Sequence, residues 1–274
     1  MKKNEKIAIG ASVATLAGVA AGALWQGLTV KRYVLFSDKL SSPVRFAHLS
    51  DLHSSVYGKD QQKLIEAVFM EAPDAVLYTG DMVDDRFDPA PAFSLMAALS
   101  ELFPSYYVTG NHEFYGGRVD DIKTALSTLC KVRVLCGESD ILDIRGERIS
   151  VSGIDDHKIG RREWLRASKR LSVEEDTFNI LLSHRPDLVP LYNEVGADLT
   201  LCGHAHGGQM MIPGVINGVW APHQGFFPRY AGGLYHLDKG DMIVSRGLSR
   251  NMIPRIFNPP ELVTIDVFPK VNDK

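Results

Sequence analysis

The strongest constraint in this chain is a series of short apolar runs, each ending in a polar cluster. Val44–Leu49 gives way to Ser50-Asp51-Leu52-His53, Ala75–Thr79 to Gly80-Asp81 with Asp84 and Asp85 close behind, and Tyr106–Thr109 to Gly110-Asn111-His112-Glu113. Further on, Asn179–Ser183 ends in His184, and Leu199–Cys202 ends in Gly203-His204-Ala205-His206. Such runs read as short apolar strands. More strands are expected at Val132–Leu135, Arg148–Gly153, Met242–Ser245 and Leu262–Val267. Helical stretches lie near Gln61–Glu71, Ala92–Leu102, Val119–Thr128, Arg162–Leu171 and Pro186–Val195. Strands alternating with helices predict an α/β layer architecture, and in open α/β sheets sites form at the carboxyl ends of strands.

The polar clusters carry metal-ligand chemistry. Asp and His suit Zn, Mn or Fe, and a carboxylate can bridge two cations. Residues two apart, as in Asp51-x-His53 and His204-x-His206, point to one side of an extended chain. Taken singly each cluster is weak evidence, since Gly-Asp after a strand is usually a turn. The case rests on their order, one cluster at the end of each strand. The chain is 45% hydrophobic and 23% charged with formal net charge −3, so it lacks the basic footprint of a nucleic-acid binder. Its three cysteines, Cys130, Cys136 and Cys202, are too few for a disulfide framework.

With these residues in hand, the series Asp51-x-His53, Gly80-Asp81-x-x-Asp84, Gly110-Asn111-His112-Glu113, His184 and Gly203-His204-x-His206 resembles the calcineurin-like metallophosphoesterase superfamily. Gly203-His204-Ala205-His206-Gly207-Gly208-Gln209, Ala221-Pro222-His223-Gln224-Gly225, Ser245-Arg246-Gly247-Leu248 and Pro260-Glu261 are similar to a bacterial membrane-associated branch, the YkuE/YaeI-like phosphoesterases. The resemblance implies a four-layer α/β/β/α sandwich of two mixed sheets and two divalent metal ions (Mn, Zn or Fe). It implies that Asp51, His53 and His206 hold one ion, that Asn111, His184 and His204 hold the other, and that Asp81 bridges them. It further implies that His112 acts on the substrate and that Asp84 hydrogen-bonds and orients His112. The substrate it points to is a lipid-linked or nucleotide-linked phosphodiester or pyrophosphate such as UDP-2,3-diacylglucosamine. A phosphomonoesterase or protein phosphatase on the same site, and a non-catalytic membrane adaptor, are the alternatives.

The N-terminus differs from the rest. Lys2, Lys3 and Lys6 precede a charge-free apolar run from Ile7 to about Trp25, close to the length that crosses a bilayer. It reads as a single-pass anchor in a bacterial cell membrane. A cleaved signal segment is the competing reading, and lysines on both flanks leave the membrane side open. The expected organisation is an anchor at 1–30, a linker at 31–43 and a catalytic domain at 44–274. Residues 207–233 form a long Gly-, Pro- and aromatic-rich loop, and loops of this length are usually functional. Trp220, Phe226, Phe227 and Tyr230 in it suit a lipid pocket or a bilayer interface, or ordinary loop packing. Arg246, Arg250 and Arg255 are candidates for receiving phosphate oxygens. His48, His157, His223 and His236 match no ligand position.

Overall fold

The computed structural model describes residue 15, residues 18–250 and residues 255–270. Two six-stranded sheets form its centre. The first has the order β1 (Thr29–Ser37), β14 (Glu261–Pro269), β2 (Val44–Leu49), β3 (Ala75–Thr79), β4 (Ser105–Val108) and β5 (Arg133–Val134). The second has the order β12 (Gly233–His236), β13 (Asp241–Val244), β9 (Leu199–Cys202), β8 (Phe178–Leu182), β7 (Glu147–Gly153) and β6 (Glu138–Ile144). Both are mixed: β2–β3–β4–β5 and β7–β8–β9–β13 are parallel, whereas β14 runs antiparallel to β2 and β6 to β7.

The period of two along each strand sorts side chains into layers. Phe46, Leu77, Ile180, Leu182, Leu199 and Leu201 join one buried cluster between the sheets. The alternate residues Ala47, Leu49, Val76 and Tyr78 face helices α1 (Gln62–Glu71), α2 (Ala90–Ser100) and α3 (Val119–Thr128), packing with Leu64, Val68, Leu95 and Leu126. On the far side Leu181, Cys202 and Val244 pack with Ala167 of α4 (Arg161–Ser168) and Tyr192 of α5 (Val189–Val195). Both faces of each sheet are covered, which is why the strands read as continuous apolar runs. The result is the expected α/β/β/α layering.

Two expectations need correction or relocation. The stretch expected to be a linker contains β1, which pairs in parallel with β14 from Thr29↔Glu261 to Ser37↔Pro269. As an edge strand carrying Lys31 and Arg32 on its exposed positions, it lacks the apolar run that marks the inner strands. Residues 1–14, 16 and 17 of the expected anchor lie outside the described residues, and its last two, Thr29 and Val30, belong to β1. Among the described residues no helix is long and apolar enough to cross a membrane. Cys130, Cys136 and Cys202 are all free.

Candidate metal centre

The carboxyl ends of β2, β3, β4, β8 and β9 converge where the two sheets meet. Backbone hydrogen bonds stitch the loops together: Asp51 N–H to Gly80 O at 3.0 Å, His53 N–H to Asp81 O at 2.9 Å, and Gly203 N–H to His184 O at 3.0 Å. Two contacts tie one sheet to the other. His184 Nδ1 lies 2.7 Å from Thr79 O, and the His204 N–H donates to both carboxylate oxygens of Asp51 at 3.0 Å. Gly203 and Gly110 are required by close approach: a Cβ on Gly203 would lie 2.3 Å from Asp51 Oδ2, and one on Gly110 would lie 2.2 Å from Asp81 Oδ1. Asp51, His53, Asp81, His204 and His206 all have positive φ, between 46° and 66°. Non-glycine residues adopt that region at a cost, and such strain clusters at functional sites.

The seven sequence-predicted ligands, Asp51, His53, Asp81, Asn111, His184, His204 and His206, are all buried. Ligand atoms of Asp51, His53 and His206 lie within 4.8 Å of one another, and so do those of Asp81, His184 and His204. Asp81 joins the two groups, since its Oδ2 is 3.7 Å from His53 Nε2 and 3.2 Å from His184 Nε2. His184 Nε2 and His204 Nδ1 are 3.0 Å apart. Asn111 Oδ1 is buried without a hydrogen-bond partner, an uncommon state for an amide oxygen unless something else occupies it. Carboxylates, imidazoles and an amide oxygen are a donor set that fits divalent cations.

The electrostatics agree with a site built for positive charge. Burial opposes ionisation of Asp81, but His184, His53 and His112 hold its carboxylate well below the usual range. Burial pushes His184 down, yet Asp81 and Asp51 outweigh it and raise the imidazole to about 10. His204 and His206 are held neutral, first by burial and then by neighbouring histidines. Burial also works against charging His112, but Asp84, Asp81 and Asp85 raise it to about 9.

Asp84 reaches His112 as expected and also a second imidazole. Its Oδ2 is 2.8 Å from His53 Nδ1 and 3.3 Å from His112 Nδ1, whereas Asp85 Oδ1 is 2.6 Å from His112 Nδ1. Asp84 thus orients His53 first and His112 second, because the turn after β3 offers two successive acids to two imidazoles. Glu113 is a further positioning residue. Its carboxylate accepts from the N–H groups of Asp81 at 3.0 Å, Val83 at 3.0 Å and Gly110 at 2.8 Å. His223, unassigned from the sequence, lies 2.8 Å from His204 through Nδ1 and Nε2 respectively. The only hint of it was its place in the Ala221–Gly225 motif.

The arginines separate. The Arg246 guanidinium donates to Gly207 O at 3.4 Å and to Asn217 O at 3.3 Å, and it also bonds the Asn217 side chain. It is therefore committed to bracing the 207–233 loop. Arg255 is buried and donates to Arg246 O at 2.7 Å. Arg250 is exposed, with its guanidinium over the Tyr57 ring at 5.4 Å, and of the three it is the one left facing solvent.

The comparisons agree with this geometry. Residues 44–208 match the family model described as calcineurin-like phosphoesterase. The chain is 29% identical over 221 residues to the uncharacterized metallophosphoesterase YkuE of Bacillus subtilis, covering 79% of this chain and 74% of that one. It is 29% identical over 261 residues to an uncharacterized metallophosphoesterase of Aquifex aeolicus, covering 89% and 94%. It is 25% identical over 251 residues to the phosphodiesterase YaeI of Escherichia coli, covering 89% and 88%. With the family's donor residues gathered at the meeting of two sheets, the chain belongs to the calcineurin-like phosphoesterases and is a metal-dependent phosphoric ester hydrolase.

Proposed function

We propose that this protein hydrolyses a phosphodiester or pyrophosphate bond at a dinuclear centre, on a substrate held at a bacterial membrane. The observation that carries the dinuclear reading is the position of Asp81 Oδ2, near His53 on one side and His184 on the other. Asp51, His53 and His206 would hold one divalent cation, Asn111, His184 and His204 the second, with Asp81 shared. When bound, such cations act as Lewis acids and make water a nucleophile at neutral pH. The chain's own residues do the rest. His112 Nδ1 is engaged by Asp85 and Asp84, which leaves Nε2 free to give a proton to the leaving oxygen. Asp84 fixes the His53 ring, and His223 does the same for His204. No cysteine or serine nucleophile is needed, so no covalent intermediate is expected.

The membrane setting is supported by the apolar run from Ile7 to about Trp25, read as an N-terminal anchor. The diester class is supported by the likeness to a protein named as a phosphodiesterase. UDP-2,3-diacylglucosamine is the candidate substrate, because it combines a nucleotide diphosphate with a lipid. The test is a screen of purified, Mn-loaded protein against UDP-2,3-diacylglucosamine, bis-p-nitrophenyl phosphate and p-nitrophenyl phosphate. The reading expects turnover of the first two to exceed that of the monoester. Preference for the monoester would overturn it.

A further inference from the structure

One surface next to the metal centre has no role in the chemistry above. A continuous run of backbone hydrogen bonds leads outward from His206. Gln209 N–H donates to His206 O at 3.2 Å, and Met211 N–H to Ile256 O at 3.0 Å. Phe257 N–H donates to Ala23 O at 2.7 Å, Val219 N–H to Met210 O at 2.9 Å, and Phe227 N–H to Val219 O at 2.8 Å. The array ends in the hairpin of β10 (Trp220–Ala221) and β11 (Gly225–Phe226). Its tip residue His223 reaches back to His204, while large apolar side chains elsewhere on the array face water. Val215 is 77% exposed, Phe226 74%, Phe227 67%, Ile212 50% and Trp220 38%.

From this we infer that the array is a bilayer-docking surface, whose aromatic hairpin enters the lipid interface and holds the metal centre against it. Three observations favour lipid as the occupant. Ala23, at the described end of the charge-free sequence run, joins the array through its bond to Phe257, and Leu24 and Trp25 beside it are also exposed. Residues 207–233 contain no Asp or Glu, and Arg229 lies over the Tyr230 ring at 5.2 Å. Interfacial segments combine exposed Trp and Phe with basic residues in this way, suiting anionic headgroups. The hairpin is also the element that carries His223 to the metal centre, so a substrate whose lipid tail stays in the bilayer would have its phosphoester beside the ligands. The inference deepens the membrane reading above and rests on it.

The experiment uses the full chain with Trp25→Phe and Trp164→Phe, so that Trp220 is the sole tryptophan. The protein is mixed with phosphatidylcholine/phosphatidylglycerol vesicles carrying brominated acyl chains, and hydrolysis of bis-p-nitrophenyl phosphate is followed in parallel. Side chains of interfacial segments lie about 5–10 Å into the headgroup–acyl boundary, so Trp220 emission should fall by roughly half relative to unbrominated vesicles. Adding Phe226→Ser and Phe227→Ser should restore the emission while leaving diester turnover unchanged. The docking surface is overturned if protein that floats with the vesicles shows Trp220 unquenched by bromine and as open to acrylamide as without lipid. It is equally overturned if the protein does not float. Loss of diester turnover with quenching intact would sink the hydrolase reading alone.

Discussion

Glu113 offers the sharpest test of how this site is held. It is fully buried among the candidate ligands but touches none of them through its side chain except by way of backbone. Its Oε2 accepts from the Asp81 and Gly110 N–H groups and its Oε1 from the Val83 N–H. Burial and the Asp81 charge push its carboxyl upward, yet two of these same N–H groups favour the ionised form. Glu113→Gln keeps the shape and allows the amide oxygen to keep two of the three bonds. Its NH2 then opposes the Val83 N–H, leaving a buried donor unpaired at about 1–3 kcal/mol, and the remaining bonds lose charge assistance. A total of about 2–4 kcal/mol is expected, against a stability on the order of 5–15 kcal/mol. For a domain of this size that lowers Tm by roughly 4–16 °C. Because the strained Asp81 backbone depends on the same bond, metal content should fall as well. The assays are urea unfolding and metal content of the purified variant. A loss of stability below about 0.5 kcal/mol, the range of ordinary surface substitutions, with metal uptake as in wild type, would refute the reasoning.

Asp84→Asn should weaken metal binding by about 10–100-fold, the usual cost of losing the partner that orients a ligating histidine; equilibrium dialysis with unchanged affinity would show that the Asp84–His53 bond is not doing this. His112→Ala should lower kcat by about 10²–10⁴-fold, as for loss of a general acid, with metal content retained, whereas loss of metal would make His112 a ligand. His48 is buried and shares a 2.7 Å hydrogen bond with Thr79 Oγ1, and burial lowers its pKa from 6.5 to about 3. The unfolded chain therefore binds the extra proton between these values, so stability is full above pH 6.5 and falls by about 1.4 kcal/mol per pH unit below it. Chemical denaturation across pH should show a shallower acid slope for His48→Gln; an unchanged slope would exclude His48 as its source.

Much of the site was readable because its ligands end strands. The apolar runs marked β2, β3 and β9, with β4 and β8 each displaced by one residue, and the polar residues after them are the ones the fold gathers. Less regular elements escaped. The edge strands β1 and β6 show exposed, partly charged faces, and strands solvated on one side lack the continuous apolar signal of those covered on both. The contact of Arg246 with Asn217 is not legible in the sequence, because an arginine after a strand looks the same whether it meets a phosphate or an amide.

By itself the sequence determined which residue types stand at the carboxyl end of each strand, and so the chemistry the site is able to perform. Local order carries that information, because strand periodicity and a following glycine place a side chain at the sheet edge. Which imidazole pairs with which acid was decided only by the tertiary structure. The His53 ring meets Asp84 across 31 positions, and the backbone N–H of His204 meets the Asp51 carboxylate across 153. His204 and His223 are 19 apart, yet they meet only because the hairpin folds back. Such contacts depend on how two sheets pack and where a long loop returns, and no local pattern in the chain encodes either.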